Sequence, residues 1–507
     1  MPLCLCGFLF SVFSAISVSA YTQTPAPPAS LGRISFPNSG FPAAQPQFIR
    51  GVLLLHSFEY DEAIEAFRQA QKTDPDFALA YWGEAMSYNH PLWAQQDLAA
   101  ARRVLERLAP TAAARAAKAP AGKERDLMET AEILFGAGDK LARDVAYAGA
   151  MGKLHAKYAA DDEIACLYAL ALLGTGRAGV SNTRNAMQAA AISQEIFQRN
   201  PKHPGAAHYI IHSFDDPDHA ILSLPAARAY SKIAPSAAHA LHMPSHIFVQ
   251  LGMWDDVVAS NIVAYKAAVD LAEAKKLPRG REDFHTLSWL QYAYLQQGKF
   301  DDAQKCVDQA KAVADKDPAP NVRDGYASMK ARQITETEKW EKLALAAAPV
   351  RDGGAPGYDG SAAYVFAAGA SAANLGDVET ANVALDKLKA MRTQAESGSN
   401  AYRAKPFAIM EKEIAAVIAF RQSDPAAAER LIKEATAIEM TLDAPSGPAD
   451  PIKPSFELYG NLLLGMNRPA EAAAQFQVAL TRMPNRRAAL KGLERATAQR
   501  PTTAGQQ

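Results

Sequence analysis

Four histidines recur at a fixed interval. His208 and His212 stand four residues apart in H-Y-I-I-H, and His242 and His246 stand four apart in H-M-P-S-H. Each member of the first pair precedes its counterpart by 34 residues. His56 and His90 share that interval. A chain that matches itself at a constant period of this length folds as an array of like supersecondary units. One such unit cannot bury its apolar face alone, so neighbours must stack in register.

The core residues follow the same rule. One stretch reads Gly51, Tyr60, Ala63, Phe67, Ala70, Pro75, and near the C-terminus Gly460, Leu463, Asn467, Ala472, Phe476, Ala479, Pro484 repeats it. A third copy reads Leu251, Gly252, Trp254, Val257, Ala264, and a fourth Gly298, Phe300, Ala303, Ala310. Weaker copies run through Gly376–Ala381 and Pro425–Ala435. Small residues let helices cross closely, alanine is the best helix former, and proline stops each second helix. The spacing resembles the tetratricopeptide repeat. That resemblance implies an all-α fold, an α-solenoid of tetratricopeptide-type helix hairpins wound into a right-handed superhelix. Alternating strand patterns are absent, so no sheet is expected. Segments rich in Gly, Pro and Asp at Lys316–Pro320, Arg351–Gly360 and Asp443–Pro454 read as breaks in the array. The expected organisation is an N-terminal array over 46–350 carrying the histidines and a C-terminal array over 361–498.

Residues four apart share a helix face, so each His pair presents two imidazoles to one metal ion. At about 100° per residue, the paired histidines fall about 140° from the direction of the repeat's core positions. In tetratricopeptide proteins that face lines the concave groove where ligands bind, as the resemblance implies. His239 and His285 take matching early positions in their repeats. With Asp215, Asp216, Gln250 and Tyr292 they are candidates to line the same groove or to orient the imidazoles. Pro244, between His242 and His246, removes a backbone donor. It either starts the helix there, which spoils the four-residue geometry, or kinks it, which preserves convergence. If a metal binds, imidazole ligation suits Zn, Cu or Ni better than Mg or Ca, with Zn or Cu the expected ions. The competing reading is structural: each imidazole hydrogen-bonds to a neighbouring helix. No H-E-x-x-H, nucleophile elbow or phosphate loop accompanies the cluster, which places catalysis below binding.

A second candidate cluster joins His56, Glu84 and His90. Glu84 occupies a position usually buried in this repeat type, and a buried carboxylate needs a partner, for which His56 or His90 is the candidate. The alternative is a solvated Glu84 in an irregular repeat. His155, His203 and His219 read as ordinary surface or core histidines.

Charge and targeting bound the setting. The formal net charge is −1, so no electrostatic footprint for nucleic acid is expected. Residues 3–18 are apolar or small and uncharged, and V-S-A before Tyr21 reads as a cleavage site, although the start lacks Lys or Arg. The expectation is a signal peptide over 1–20, a disordered lead-in over 21–45, a disordered tail over 499–507, and an exported chain, periplasmic or secreted, without stable membrane insertion after cleavage. Cys166 and Cys306 would remain as buried free thiols.

The stretches L-L-L-H-S-F-E-Y-D-E-A, A-Y-W-G-E-A-M-S-Y-N-H-P-L-W, H-P-G-A-A-H-Y-I-I-H, H-M-P-S-H-I-F and K-P-S-F-E-L-Y-G-N-L-L-L-G-M-N-R-P-A-E-A together resemble a family of long bacterial tetratricopeptide proteins. The resemblance covers nearly the whole mature chain. It implies the fold and leaves the activity open. Three functions are therefore expected in order: a scaffold binding a peptide or protein in its groove, a multi-His metal-binding or metal-delivery protein, and a metal-dependent hydrolase or oxidase.

Overall fold

The computed structural model describes residues 30–177, 179, 182–349, 360–398 and 401–499. The expected leader (1–20), the start of the lead-in (21–29), nearly all of the middle break (351–359) and the end of the tail (500–507) lie outside the described residues. Among the described residues the strands are two residues long, Asn89–His90 and Gln95–Gln96, and the rest of the regular structure is helical. None of the described helices is long and apolar enough to cross a membrane.

The helices pair along the chain. Gln45–His56 pairs with Tyr60–Thr73, Ala78–Met86 with Leu98–Leu108, Asp162–Leu173 with Thr183–Arg199, and Pro204–Ser213 with Ala220–Ile233. Then Ala238–His242 and Pro244–Gln250 together face Trp254–Lys275, and Glu282–Gln296 faces Phe300–Ala314. Pro320–Thr337 packs on Gly360–Leu375, and the chain continues through Val378–Glu396, Lys405–Arg421, Pro425–Glu439, Ser455–Gly465 and Pro469–Arg482 to the closing helix Arg487–Ala498.

The repeat signature works by close approach. Phe67 is fully buried between Gly51 and Gly83, where an added Cβ would come within 2.7 and 2.3 Å of its ring. Phe476 sits in the same way between Gly460 and Gly492, with corresponding approaches of 2.6 and 2.3 Å. The small residues thus seat one aromatic ring among three consecutive helices. The hairpin turns share a second device, a residue with positive φ two places before the second helix. Gly252 (64°), Gly298 (74°), Gly376 (82°) and Asn467 (59°) fill it. In the first hairpin that place is held by Phe58, φ 57°, a conformation that costs a bulky L-residue about 1–2 kcal/mol.

Two long-range closures shape the molecule. The end of the first hairpin reaches the helix Pro204–Ser213, where Tyr209 Oη lies 2.9 Å from His56 Nδ1. The last hairpin returns to the middle of the chain: Trp254 Nε1 donates to Asn485 O at 3.1 Å, and Asn485 Nδ2 donates to Leu251 O at 3.2 Å. The guanidinium of Arg486 is buried against Glu457, Glu336 and the Tyr292 hydroxyl.

The lead-in expectation needs correction for residues 30–44. Leu31 and Phe36 are buried, Phe36 packs against Phe48 and Trp82, and Arg33 N donates to Lys202 O at 2.8 Å. The few apolar side chains of this segment find partners on the first hairpins, and that burial orders it despite its turn-rich composition.

Candidate metal centre

The four periodic histidines converge, joined by two more. His208 and His212 on Pro204–Ser213 meet His239 at the start of the next repeat's first helix. His242 and His246 meet His285 on Glu282–Gln296. Within each triad one ligand atom per residue lies within 4.8 Å of the other two. The triads are repeat-equivalent: each takes a pair of histidines four apart from one first helix and one early histidine from the next. A new helix starts at Pro244, yet Met243 keeps helical angles (φ −52°, ψ −34°) between Ala238–His242 and Pro244–Gln250, so the helical course is carried across the break. The pair geometry survives, with ring centroids 5.1 Å apart for His242 and His246 against 4.8 Å for His208 and His212.

The far ring nitrogens determine what the near ones present. His208 Nδ1 is 2.7 Å from His56 O, and a carbonyl only accepts, so Nδ1 carries the proton. His242 Nδ1 is 2.7 Å from Asn261 Oδ1, whose amide is oriented by Nδ2 donating to Val257 O at 2.9 Å. His246 Nδ1 is 2.7 Å from Asp215 Oδ2. All three rings therefore hold Nδ1 on an oxygen acceptor and leave Nε2 as the ring nitrogen available to a ligand. The near atoms are already close: His208 Nε2 to His212 Nε2 is 3.1 Å, and His242 Nε2 to His285 Nε2 is 2.9 Å. Burial pushes His208 and His212 well below the usual imidazole range, and the neighbouring imidazoles add to the shift. Both stay neutral, the state a metal ligand requires.

Apolar walls bracket the centre. Phe58 packs on His208, His212 and His239, with centroids at 4.3, 5.8 and 5.6 Å. Trp289 packs on His242, His246 and His285 at 4.9, 4.5 and 5.7 Å. Behind Trp289 lies Gly447, where a Cβ would approach the indole within 2.5 Å. From that same segment of the C-terminal array, Pro445 O accepts from Gln250 Nε2 at 2.9 Å. His208 and His242 are fully buried, His212 and His246 half-buried, and His285 exposed, so the cluster opens to solvent on one side.

Several expected roles change. The paired histidines do not line an open groove, because the end of the first hairpin fills the space in front of them with Phe58 and the His56 carbonyl. Asp215 orients His246 as expected, and Gln250 lies 3.5 Å from Asp215. Asp216 instead binds His219, at 2.8 Å. Tyr292 faces away from the cluster and holds Arg486, at 3.0 Å. The proposed grouping of His56, Glu84 and His90 does not form. Glu84 is buried against Arg68, Arg107 and Gln71. His90 stacks on Tyr60 with ring centroids 3.9 Å apart.

His56 joins His203, expected to be unremarkable, on opposite oxygens of Glu163, at 2.9 and 3.0 Å. Burial alone would raise the Glu163 carboxyl, but His203 and His56 outweigh it and bring it down to about 2. Cys166 lies close to both histidines, yet burial holds its thiol protonated, and Glu163 already occupies the ring nitrogens. This group is a hydrogen-bonded brace behind the first triad rather than a second metal site. Sequence reasoning also missed Phe58, Trp289 and Asn261. Phe58 carried a signal, since it stands where other copies have Gly or Asn.

Stacked helical hairpins of this length make the chain an α-solenoid of the tetratricopeptide type. A tetratricopeptide repeat model matches residues 44–77. No curated protein sequence matches the chain. Among solved structures, the chain is similar to yeast Tom70, at 13% identity over 89% of this chain and 87% of that one, with a TM-score of 0.33. It is similar to the APC/C hetero-tetramer Cut9–Hcn1 at 13% identity over 91% and 78%, with a TM-score of 0.36. A Rap protein complexed with competence and sporulation factor matches at 12% identity over 79% and 99%, TM-score 0.36.

Proposed function

We propose that this chain is an exported binding scaffold of the tetratricopeptide type whose own cargo is a transition metal, Zn or Cu, held by the six clustered imidazoles. One observation carries the reading. His208, His242 and His246, on equivalent faces of successive repeats, are each fixed through Nδ1 by an oxygen acceptor, and each belongs to a triad whose ligand atoms lie within 4.8 Å of one another. Oxygen acceptors behind ligating imidazoles are how metal sites fix tautomer and orientation. All-nitrogen donors favour Zn or Cu over Mg, Ca or Mn. The repeat architecture supports a partner-binding role as well, and a protein that receives or delivers the metal fits it. Export rests on the apolar stretch at residues 3–18. Hydrolysis or oxidation ranks below binding, since Asp215, a carboxylate at the second triad, is committed to His246.

Metal analysis of the purified chain tests this. The reading expects tightly held Zn or Cu, lost on substituting His208→Ala with His242→Ala. It also expects stabilisation by added metal of about 2.7 kcal/mol at one hundred times Kd. A folded chain that retains no Zn or Cu after dialysis, and whose melting temperature is unmoved by either ion, refutes it.

A further inference from the structure

The division of the imidazoles into two repeat-equivalent triads bears on how many ions the centre takes. On one ion with a metal–nitrogen bond of about 2.0 Å, neighbouring imidazole centroids stand roughly 4.5–5 Å apart. Four of the six ring pairs inside the triads stand at 4.8 Å (His208–His212), 5.2 Å (His208–His239), 5.1 Å (His242–His246) and 4.5 Å (His242–His285). Across the seam His212 and His246 are 5.9 Å apart and His239 and His242 6.4 Å. The seam therefore falls between two sets: in each, one histidine (His208 or His242) stands at one-ion spacing from both partners, and the ligand atoms all lie within 4.8 Å of one another.

Each set also has its own support. The His56 carbonyl anchors the first, Asn261 and Asp215 the second. Phe58 walls the first and Trp289 the second. We infer that the centre is dinuclear: two copper-class ions lie side by side, each on three imidazole nitrogens, with a small oxygen donor such as hydroxide bridging them on the solvent side. Three neutral nitrogens leave each ion short of its full ligand number, and the half-buried His212 and His246 mark where the seam meets solvent.

The inference rests on the metal-binding reading, and one experiment separates their failures. The full chain is stripped with chelator, titrated with Cu(II), and followed by bound copper and by electron paramagnetic resonance. Two equivalents are expected to bind, with most of the signal lost as the second ion couples to the first. His212→Gln and His285→Asn, at the more accessible ligands, are each expected to leave one strong equivalent with a full mononuclear signal. Circular dichroism establishes that both variants are folded. If either is not, Co(II) titration of the unaltered chain decides, with its ligand-field absorption saturating at two equivalents rather than one. A single equivalent in the unaltered chain, abolished by either substitution, overturns dinuclearity and keeps metal binding. Two equivalents with undiminished signal overturn the bridged arrangement. No stoichiometric uptake of Cu(II) or Co(II) refutes both readings.

Discussion

Substitutions at Phe58 separate the two effects that meet there. The residue is buried, its ring lies against three imidazoles of the first triad, and its backbone is left-handed at φ 57°. Phe58→Ala deletes the ring and keeps the strain, and loss of a buried aromatic costs about 3–5 kcal/mol. Phe58→Gly deletes the same ring and relieves the strain, worth about 1–2 kcal/mol. Glycine gives back about 0.5–1 kcal/mol through the greater freedom of the unfolded chain. The glycine variant should therefore be the more stable of the two by about 0.75 kcal/mol at mid-range and up to about 1.5 kcal/mol, the reverse of their order at an ordinary position. Urea unfolding of all three proteins, followed by far-ultraviolet circular dichroism, reads the order from the midpoints. An alanine variant equal to or more stable than the glycine variant refutes the strained turn. A loss below about 1 kcal/mol in both refutes the packing of the ring against the imidazoles.

Three further outcomes are expected. Glu163→Gln should destabilise the chain by about 1–3 kcal/mol, because the amide keeps one acceptor oxygen and turns a donor toward the Nε2 of His56 or His203. Since the folded carboxyl lies at about 2, below its ordinary 4.5, that stability is present above pH 4.5 and is lost as pH falls toward 2; a pH series of urea midpoints with and without the substitution checks it. Glu413 behaves oppositely: burial raises its carboxyl well above the usual range, and Ser455 Oγ at 2.8 Å only partly offsets this. Above pH 4.5 the unfolded carboxyl ionises while the folded one keeps its proton, so stability falls as pH rises toward the folded value. Glu413→Gln should therefore gain on the parent between pH 4 and pH 7, and identical pH profiles would contradict it. Arg486→Met should cost about 3–5 kcal/mol by leaving Glu457 and Glu336 buried without their shared guanidinium, and limited proteolysis should then nick the last hairpin first.

Much of this fold is legible in the sequence because its information is periodic. Gly51, Phe67, Gly460 and Phe476 announce the close helix crossings, and each copy repeats the same local physics. The histidine interval likewise foretells that His208 and His242 become neighbours. What cannot be read is whatever depends on contacts between distant repeats. The sequence placed the paired histidines on a groove face, yet the first hairpin lies 152 residues away from His208 and fills that face through the His56 carbonyl. Tyr292 shares a helix with His285, but Arg486, 194 residues on, holds it elsewhere. Glu84 was given histidine partners by proximity in the chain, whereas arginines on its flanking helices satisfy it. Asn261 lies on the second helix of its hairpin, where no pattern in the sequence marks it as the acceptor for His242.

Anomalous scattering at the copper edge, from crystals of the copper-loaded chain, interrogates the centre directly. Two peaks are expected, one enclosed by His208, His212 and His239 and the other by His242, His246 and His285. Density showing those six rings hydrogen-bonded only to protein or water, with no peak between them, would contradict the account.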